Sequence, residues 1–255
     1  MIAQRRKQEI IKLLKKNKTV TVKEIADTFN VTMETIRSDL EYICENNKNI
    51  VKVHGGAYYK DLPGNGIPFQ LRAKIMINEK KVIAQKCSLL VNSGDIIMFD
   101  SSSTCDLIAN AIVKREIPVV TITNNLSIIT LCGNIPWIKL IAIGGTLDRR
   151  VNAFNGNDAI QELSKYHSDL TFLSPTAISQ SYGLSDECQE EGEIRKIMVN
   201  NTDKVFLAVD TTKFDKTKIF KISDFTKVDT VISDKPLTNS WAKFFNDNKI
   251  KTLTN

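Results

Sequence analysis

The sequence predicts an α/β protein in two parts, a small winged helix-turn-helix and a larger domain with a mainly parallel sheet. In residues 1–59, three short amphipathic stretches precede an alternating, glycine-containing segment, which is typical of a helix-turn-helix with a wing. In residues 69–255, apolar runs alternate with amphipathic stretches, which is typical of parallel strands covered by helices on both faces. Residues 60–68 are rich in glycine and proline and are predicted to form an exposed linker.

Two helices with clear signals are predicted at the beginning of the chain. The first runs from Ala3 to Lys16, with apolar residues on one side and basic residues around them. The apolar residues are Ile10, Ile11, Leu13 and Leu14, and the basic ones are Arg5, Arg6, Lys7, Lys12, Lys15 and Lys16. The second helix begins after Thr21, because Thr21 and Glu24 have the spacing of a capping box. Its predicted buried face consists of Val22, Ile25, Ala26 and Phe29.

A third helix, capped by Thr32, is predicted to carry a polar outer face. Its inward residues Ile36, Leu40 and Ile43 are spaced by four and three. The residues that then face outward are Glu34, Thr35, Arg37, Ser38, Glu41 and Tyr42. Thr32, Thr35 and Ile36 are β-branched, and Ser38 and Asp39 prefer helix caps. A role in hydrogen bonding to DNA explains why the exposed ones stand in a helix. The DNA contacts predicted on this element are Thr32, Thr35, Arg37, Ser38 and Tyr42.

A wing is predicted in residues 49–59, where apolar and polar side chains alternate. Gly55 and Gly56 are expected to supply the positive φ values of its tight turn. The wing would place Lys52 and His54 beside the sugar-phosphate backbone of DNA. A hydrogen-bonded turn residue is an equally open interpretation of His54.

The charge distribution favours a polyanionic partner for this region. The formal net charge is +6, and residues 1–60 hold +5 of it, from 12 Lys and Arg against 7 Asp and Glu. A basic excess attracts phosphates, although a solvated helix face has the same composition. A helical bundle that packs on a protein partner is the alternative, and the basic excess with little exposed apolar surface favours double-stranded DNA.

Cysteine usage and hydropathy argue against other classes of protein. Five scattered cysteines without a C-x-x-C pair and two histidines predict neither a zinc site nor a disulfide framework. No apolar stretch reaches the roughly 18–20 residues of a membrane span, and the start of the chain has no signal-peptide pattern. We therefore expect a cytoplasmic protein without a metal, a cofactor or a membrane partner.

In the larger domain, a helical pattern runs from Phe69 to Val91, and polar residues then follow the predicted strands where these strands end. The polar stretches are Asp100-Ser101-Ser102-Ser103-Thr104, Thr123-Asn124-Asn125, Gly144-Gly145 and Asp210-Thr211-Thr212-Lys213. Ligands of parallel sheets bind beyond the carboxyl ends of the strands, and hydroxyls at a helix start hold phosphate. Each stretch alone is also compatible with a helix cap or a tight turn, but four together favour an anion site.

The amino-terminal motifs resemble those of the DeoR-type bacterial transcriptional regulators. The similarity runs through VKEIADTFNVTMETIRSDL and IVKVHGGA, where several anchors coincide at fixed spacing. Ser38 stands where the family usually has a second arginine, and Lys52 replaces the arginine before the histidine. A missing guanidinium removes a bidentate guanine or phosphate partner, so we expect a different operator or affinity.

The larger domain resembles the carboxy-terminal sensor domain of the same family, which is related in fold to ribose-5-phosphate isomerase and CoA-transferase enzymes. Similar stretches are EKKVIAQKCSLLVNSGDIIMFDSSST, VVTITNN, LIAIGGTLDR, SDLTF and AVDTTKF. The resemblance implies a phosphorylated sugar or related metabolite as effector, contacted by Asp100, Ser102, Ser103, Thr104, Asn124, Gly145 and Lys213. The family-like stretch IRKIM adds Arg195 or Lys196, for which exposed helix charges are an equally open interpretation. Ser102 and Pro175 depart from the family pattern and predict a reshaped pocket.

The resemblance implies a repressor of a carbohydrate-metabolism operon that binds its DNA operator as a homo-oligomer, either a dimer or a tetramer. The alternative is a sugar-phosphate isomerase or deaminase with an accessory DNA-binding domain. In such an enzyme Asp100, Glu191 or Asp210 would be the base. The sequence has no isomerase signature, and a DNA reader would be superfluous in a housekeeping enzyme, so we predict no catalytic residue.

Overall fold

The computed structural model describes residues 2–60 and 66–254. Contacts between Cα atoms divide the chain into two compact units, Met1–Ile77 and Asn78–Asn255, and each is described by itself. The middle of the predicted linker, residues 61–65, lies outside the described residues. None of the described helices is both long enough and apolar enough to cross a membrane.

The first unit combines short helices with a three-stranded antiparallel sheet. Its helices are α1 Ala3–Asn17, α2 Val22–Phe29, α3 Met33–Glu45 and α4 Phe69–Arg72, and its strands are β1 Thr19–Thr21, β2 Ile50–Val53 and β3 Gly56–Tyr59. The strands pair in the order β1-β3-β2. Thr21 and Glu24 form the predicted capping box, and Thr32 accepts a hydrogen bond from the Thr35 amide. The predicted helix-turn-helix with a wing is therefore confirmed.

Two details of this unit differ from expectation. Arg6, expected on the solvated side of α1, is buried because its Nε donates to Asp39 Oδ2 of α3 at 2.5 Å. Of the two glycines expected to have a positive φ, Gly55 has one, at +87°, whereas Gly56 begins β3. A Cβ on Gly56 would lie 2.4 Å from the Val20 carbonyl oxygen. The missing side chain of Gly56 therefore allows β3 to approach β1.

The segment after the predicted linker packs on the wing of the first unit. Phe69, Leu71 and Ile75 are buried there. The two wing glycines make room for this segment, since a Cβ on Gly55 would lie 3.1 Å from Ile75 Cγ2 and one on Gly56 would lie 3.0 Å from Leu71 Cδ1. The division between the units consequently follows this segment, whereas the sequence predicts it to precede Phe69.

The second unit alternates strands and helices as predicted. Its helices are α5 Ile77–Ser88, α6 Ser103–Val113, α7 Leu126–Cys132, α8 Asn157–Leu163, α9 Gln189–Asn200 and α10 Asn239–Asp247. Its strands are β4 Ile96–Phe99, β5 Val119–Thr123, β6 Ile138–Ala142, β7 Thr146–Asp148, β8 Ala153–Asn155, β9 Ser168–Leu173, β10 Ala177–Ser179, β11 Gly183–Asp186, β12 Thr202–Ala208, β13 Phe220–Ser223, β14 Thr230–Ile232 and β15 Lys251–Leu253.

A parallel sheet in the order β15-β14-β12-β9-β4-β5-β6 forms the centre of this unit and confirms the predicted fold class. Its side chains alternate between two buried clusters: Met98 packs in one, while Ile97 and Phe99 pack in the other. Both faces of the sheet are therefore covered. Phe99 is in register with Thr123 of β5 and Phe172 of β9, so the residues that follow these three strands meet at one edge.

The helical pattern predicted from Phe69 to Val91 is interrupted between α4 and α5. Met76 has a φ of +52°, and a helix cannot continue through this left-handed conformation. The apolar residues Ile83, Ala84, Cys87, Leu90 and Val91 of this pattern are predicted to share one side, and Ile83, Ala84 and Cys87 are buried in α5. The pattern therefore indicated the packed side of α5, but it did not indicate the break before this helix.

Candidate nucleic-acid interface and effector site

The outer face of α3 is open to solvent, as a DNA-reading helix requires. Arg37, Ser38 and Tyr42 are exposed on it, and Thr32 and Thr35 stand at its amino end with their hydroxyl oxygens 2.9 Å apart. Thr35 is half-buried. The structure thus leaves all five predicted α3 contacts accessible from the solvent side of the helix.

Carboxylates on the same surface hold the basic residues of the interface. Arg37 Nη1 donates to Glu34 Oε2 at 2.8 Å, and Lys52 of β2 forms an ion pair with Glu41 of α3. Exposed ion pairs are weak and are screened by salt, so neither pair holds its cation strongly. His54 is exposed in the turn between β2 and β3, a position compatible with either of its two interpretations.

Two contacts that sequence reasoning missed fix α3 against α1. Arg6 and Asp39 form an ion pair with side chains only 9% and 5% exposed. Lys7 Nζ lies 3.7 Å from the centroid of the Tyr42 ring, which is close enough for a cation–π attraction. The available signal was the position of Asp39, which stands beside Leu40 on the inward side of the helix. These contacts orient the predicted reading face.

At the edge of the parallel sheet, the loop after β4 folds around Asp100. This fully buried carboxylate accepts hydrogen bonds from the amides of Ser102 at 2.9 Å and Ser174 at 2.8 Å. Ser102 also caps α6, since its Oγ accepts from Cys105 N at 3.1 Å. Ser174 Oγ donates to Thr104 Oγ1 at 3.2 Å. The residue that departs from the family pattern at position 102 therefore supplies a helix cap.

Sequence reasoning missed Lys80, which reaches this edge from α5. Its side chain is buried, and its Nζ donates to Ser103 Oγ at 3.0 Å. The available signal was spacing, because Lys80 stands three and four residues before the buried Ile83 and Ala84. A buried ammonium thus lies beside the first residue of α6, where the helix dipole is also positive.

Arg195 of α9 is held by three carboxylates. Its guanidinium lies 2.7 Å from Asp100, 2.6 Å from Asp186 and 3.5 Å from Glu191. Its interpretation as an exposed helix charge is wrong, because Arg195 is 1% exposed. The next residue, Lys196, is exposed. The guanidinium of Arg195 is therefore already paired with carboxylates of the protein itself.

The protonation of this cluster is set by burial and by Arg195. Burial raises the pKa of Asp100, but the charge and hydrogen bond of Arg195 outweigh burial and hold that pKa below its usual value. Burial raises the pKa of Asp186 as well, and Glu191 and Asp100 add to it, so the pKa stays above its usual value despite Arg195. Burial lowers the pKa of Arg195, but the surrounding carboxylates raise it well above normal. The contact with Arg195 therefore favours the ionised form of Asp100.

Asn124 and Gly145 meet at β8. Asn124 is buried after β5, and its Nδ2 donates to the Phe154 carbonyl oxygen at 2.8 Å and to Asn155 Oδ1 at 3.3 Å. Gly145 has a φ of +135°, and a Cβ there would lie 2.7 Å from the Asn155 carbonyl oxygen. The structure thus brings these two predicted contacts together through Asn155, a residue that sequence reasoning missed.

Lys213 lies farther along the same edge. It ends the short turn Thr211–Lys213 after β12, two strands away from β4 in the sheet, and is half-buried. Its amide donates to the Asp210 carbonyl oxygen at 3.0 Å, and Asp210 Oδ1 accepts from Thr212 N at 3.0 Å. Asp210 therefore caps this turn.

The edge combines a buried ammonium, hydroxyls, amides and a helix amino terminus around Ser103. These groups suit an anion with oxygen acceptors. In the described part of the chain, no three His, Cys, Asp or Glu side chains are grouped to hold a metal ion. The groups around Ser103 therefore have the chemistry expected of an anion site.

Solved structures with a similar fold include ribose 5-phosphate isomerase A of Methanocaldococcus jannaschii. It is 19% identical, and the match covers 54% of each chain with a TM-score of 0.41. Translation initiation factor eIF-2B of Pyrococcus horikoshii OT3 is 11% identical, with 80% of this chain and 69% of that chain covered and a TM-score of 0.45.

Curated relatives extend over almost the whole chain. The uncharacterised HTH-type transcriptional regulator YulB of Bacillus subtilis is 31% identical, with 98% of this chain and 96% of that protein covered. The putative aga operon transcriptional repressor of Escherichia coli O157:H7 is 27% identical, with 90% and 86% covered. The HTH-type transcriptional repressor GlcR of Bacillus subtilis is 23% identical, with 99% and 96% covered.

Two family descriptions match successive parts of the chain. Residues 6–61 match the DeoR-like helix-turn-helix domain, and residues 75–235 match the DeoR C terminal sensor domain. The first range contains the exposed face of α3, and the second contains the carboxyl edge of the parallel sheet, where the anion site is predicted. The chain therefore belongs to the DeoR family of DNA-binding transcriptional regulators.

Proposed function

We propose that the chain represses a carbohydrate-metabolism operon and that a phosphorylated sugar or related metabolite, bound at the carboxyl edge of the parallel sheet, controls operator binding. The observation that carries this proposal is the hydrogen bond from the buried Lys80 ammonium to Ser103. This hydrogen bond places a positive charge beside the first residue of α6, and the start of α6 also favours an anion. A phosphate group suits both features.

The carbohydrate comes from the names of relatives, which include the aga operon repressor and an L-fucose operon activator of Haemophilus influenzae. These names include both signs of regulation, and repression follows the family resemblance of the sequence. We therefore expect transcription of the target operon to rise when the gene of the regulator is deleted. We also expect it to rise in the wild-type strain when the effector accumulates.

The proposed mechanism couples the two units through a homo-oligomer, a dimer or a tetramer. Paired α3 helices would read repeated half-sites, because one small reader binds weakly. The effector would shift operator binding by binding one arrangement of the sensor domains more tightly than the other. This regulator would act in the cytoplasm, on the DNA of the operator.

A sugar-phosphate isomerase or deaminase is the second candidate, because carboxylates lie at the same edge. A catalytic base must be able to accept a proton. Asp100 accepts three hydrogen bonds and its pKa lies below the usual value, where Arg195 overcomes the effect of burial. Glu191 accepts from Ser101 Oγ at 3.1 Å. These engaged carboxylates favour binding, and steady turnover of ribose 5-phosphate that Asp100→Asn abolishes would reverse this preference.

The first test concerns DNA. An operator is selected with the full chain from a random-sequence DNA pool, and its affinity is then measured for Arg37→Ala and for Arg5→Ala as a control on exposed charge. We expect Arg37→Ala to weaken operator binding by about 1–3 kcal/mol and Arg5→Ala to weaken it less. Equal affinities of Arg37→Ala and the unsubstituted protein would remove Arg37 from the reading face.

The second test concerns the effector. Thermal unfolding of the full chain is followed with ribose 5-phosphate, glucose 6-phosphate, fructose 6-phosphate and unphosphorylated glucose. We expect a phosphorylated sugar to raise Tm, and Lys80→Met to abolish that rise, because the ammonium is lost from the anion site. Lys81→Met is the matched control, since Lys81 is the exposed neighbour of Lys80. A rise in Tm that survives Lys80→Met would contradict the proposed site.

A further inference from the structure

Two neighbouring amides at the sheet edge carry buried atoms that the protein leaves unpaired. Within the described residues, Asn124 Oδ1 and Asn155 Nδ2 are buried and have no hydrogen-bond partner. Asn124 is fully buried, and Asn155 is 5% exposed. An unpaired buried acceptor or donor destabilises the folded protein, and native structures contain few of them. Two such atoms on adjacent side chains therefore require an explanation.

The orientation of the two amides follows from their neighbours. Asn124 Nδ2 lies 2.8 Å from the Phe154 carbonyl oxygen, and only the NH₂ end of an amide can donate there. The same Nδ2 lies 3.3 Å from the side chain of Asn155, which must present its oxygen. Rotating either amide by 180° would bring two atoms of the same kind together. Asn124 therefore keeps an acceptor unpaired, and Asn155 keeps a donor unpaired.

The position of the pair points to the effector site. Asn124 follows Thr123, which is in register with Phe99, so Asn124 neighbours the loop that begins at Asp100. Asn155 ends β8, and its backbone is approached by Gly145, where a Cβ would lie only 2.7 Å from the Asn155 carbonyl oxygen. The unpaired atoms thus lie beside the strand end that carries the anion-binding hydroxyls.

We propose that Asn124 Oδ1 and Asn155 Nδ2 form a subsite for a hydroxyl group of the sugar part of the effector. A hydroxyl donates one hydrogen bond and accepts others, so it satisfies the unpaired acceptor and the unpaired donor together. The phosphate group of a sugar phosphate has no hydrogen to donate when it is a dianion, so it leaves Asn124 Oδ1 unpaired. The amide pair therefore distinguishes the polyhydroxylated part of the ligand from its phosphate. This assignment rests on the proposed function and adds Asn155 to the site.

The experiment measures ligand affinity by calorimetry on the full chain, with ribose 5-phosphate, glucose 6-phosphate and inorganic phosphate as probes. Asn155→Leu removes the donor at similar size, and Asn155→Ala is the second variant in case leucine disturbs packing. Asn157→Leu is the matched control, because Asn157 is exposed two residues farther along. We expect both Asn155 variants to weaken binding of the preferred sugar phosphate about tenfold or more and to change the affinity for inorganic phosphate less than twofold.

Two results would overturn the subsite. The first is a sugar phosphate affinity that stays within twofold in both Asn155 variants, which would mean that the amide meets only an ordered water. The second is an equal loss of affinity for sugar phosphate and inorganic phosphate, which would assign Asn155 to the phosphate site or to the fold. Failure of the unsubstituted protein to bind either sugar phosphate would instead contradict the proposed function, and the subsite with it.

Discussion

Arg37 and Arg195 hold carboxylates at nearly equal distances but in opposite surroundings. Arg37 lies 2.8 Å from Glu34, with side chains 53% and 80% exposed. Arg195 lies 2.7 Å from Asp100 and 2.6 Å from Asp186, with all three side chains at most 2% exposed. Water and salt weaken the first contact, whereas removing one partner of the second leaves a charge buried. Distance alone therefore does not indicate what an ion pair contributes.

The two surroundings fit the two tasks of the protein. A DNA-reading face must exchange its partners on binding, so its pairs have to be weak. A ligand-binding edge needs side chains that are already fixed when the ligand arrives, and Asp100 joins Arg195 to the loop that carries Ser102. We expect substitutions on the face that carries Arg37 to change the affinity for DNA. Substitutions in the cluster around Arg195 should change the stability of the fold before they change ligand binding.

The largest effect is expected for Arg195→Met, which leaves three carboxylates in a buried place without their cation. We expect the second unit to lose about 3–5 kcal/mol of unfolding free energy. The fluorescence of Trp137 and Trp241 reports on this unit in urea, because both tryptophans of the chain lie there. Lys196→Met, an exposed neighbour, should change the free energy by less than about 0.5 kcal/mol. Similar losses of unfolding free energy in Arg195→Met and Lys196→Met would contradict the difference proposed between buried and exposed charges.

The unfolding free energies of Asp100→Asn and Asp186→Asn should differ by a smaller amount. Burial raises both pKa values, but Arg195 brings that of Asp100 below its usual value, whereas that of Asp186 stays above. At pH 7 we therefore expect Asp100→Asn to cost about 2–3 kcal/mol and Asp186→Asn to cost less. Urea unfolding at pH 7 measures these differences.

The pH dependence of the two variants should have opposite signs. The contribution of Asp100 is present above its unfolded pKa and is lost as the pH falls through the lower folded pKa, so the penalty of Asp100→Asn shrinks in acid. The contribution of Asp186 is present below its unfolded pKa and is lost as the pH rises through the higher folded pKa. The penalty of Asp186→Asn should therefore grow in acid. Parallel pH profiles would contradict the assignment.

The smallest effect on stability is expected for Glu34→Gln on the reading face. Loss of the exposed pair with Arg37 should change the unfolding free energy by less than about 0.5 kcal/mol. Operator affinity should rise a few-fold at low salt, because Arg37 is released and a negative charge leaves the DNA-facing surface. Glu9→Gln is the matched control, since Glu9 pairs with Lys12 at the same 2.8 Å on α1. An equal rise for both variants would assign the effect to net charge alone.

Local patterns in the sequence were sufficient for the fold and for the positions of several predicted site residues. The Thr21 capping box, the spacing of Ile36 and Leu40, and the polar stretches after the strands each depend on neighbours within a few residues. The sequence could place the polar stretches after β4 and β5 at one edge because parallel strand ends meet there. The anion site at this edge stays a prediction.

The features that the sequence did not predict depend on partners far along the chain. Arg6 was assigned to a solvated face because its partner Asp39 lies on another helix. Arg195 meets Asp100 across 95 positions, and Lys80 meets Ser103 across 23. The periodicity of apolar residues predicts which face of a helix a side chain occupies. It does not predict which charged residue of another element contacts that side chain.

The packing of the segment from Phe69 to Ile75 on the wing glycines decides where the chain can be cut. A sensor fragment that starts at Phe69 would carry Phe69, Leu71 and Ile75 away from Gly55 and Gly56, and these three apolar side chains would then face water. Such a fragment would tend to self-associate. A fragment that starts at Asn78 leaves the three side chains behind, and it should remain monodisperse at higher concentration than the longer one.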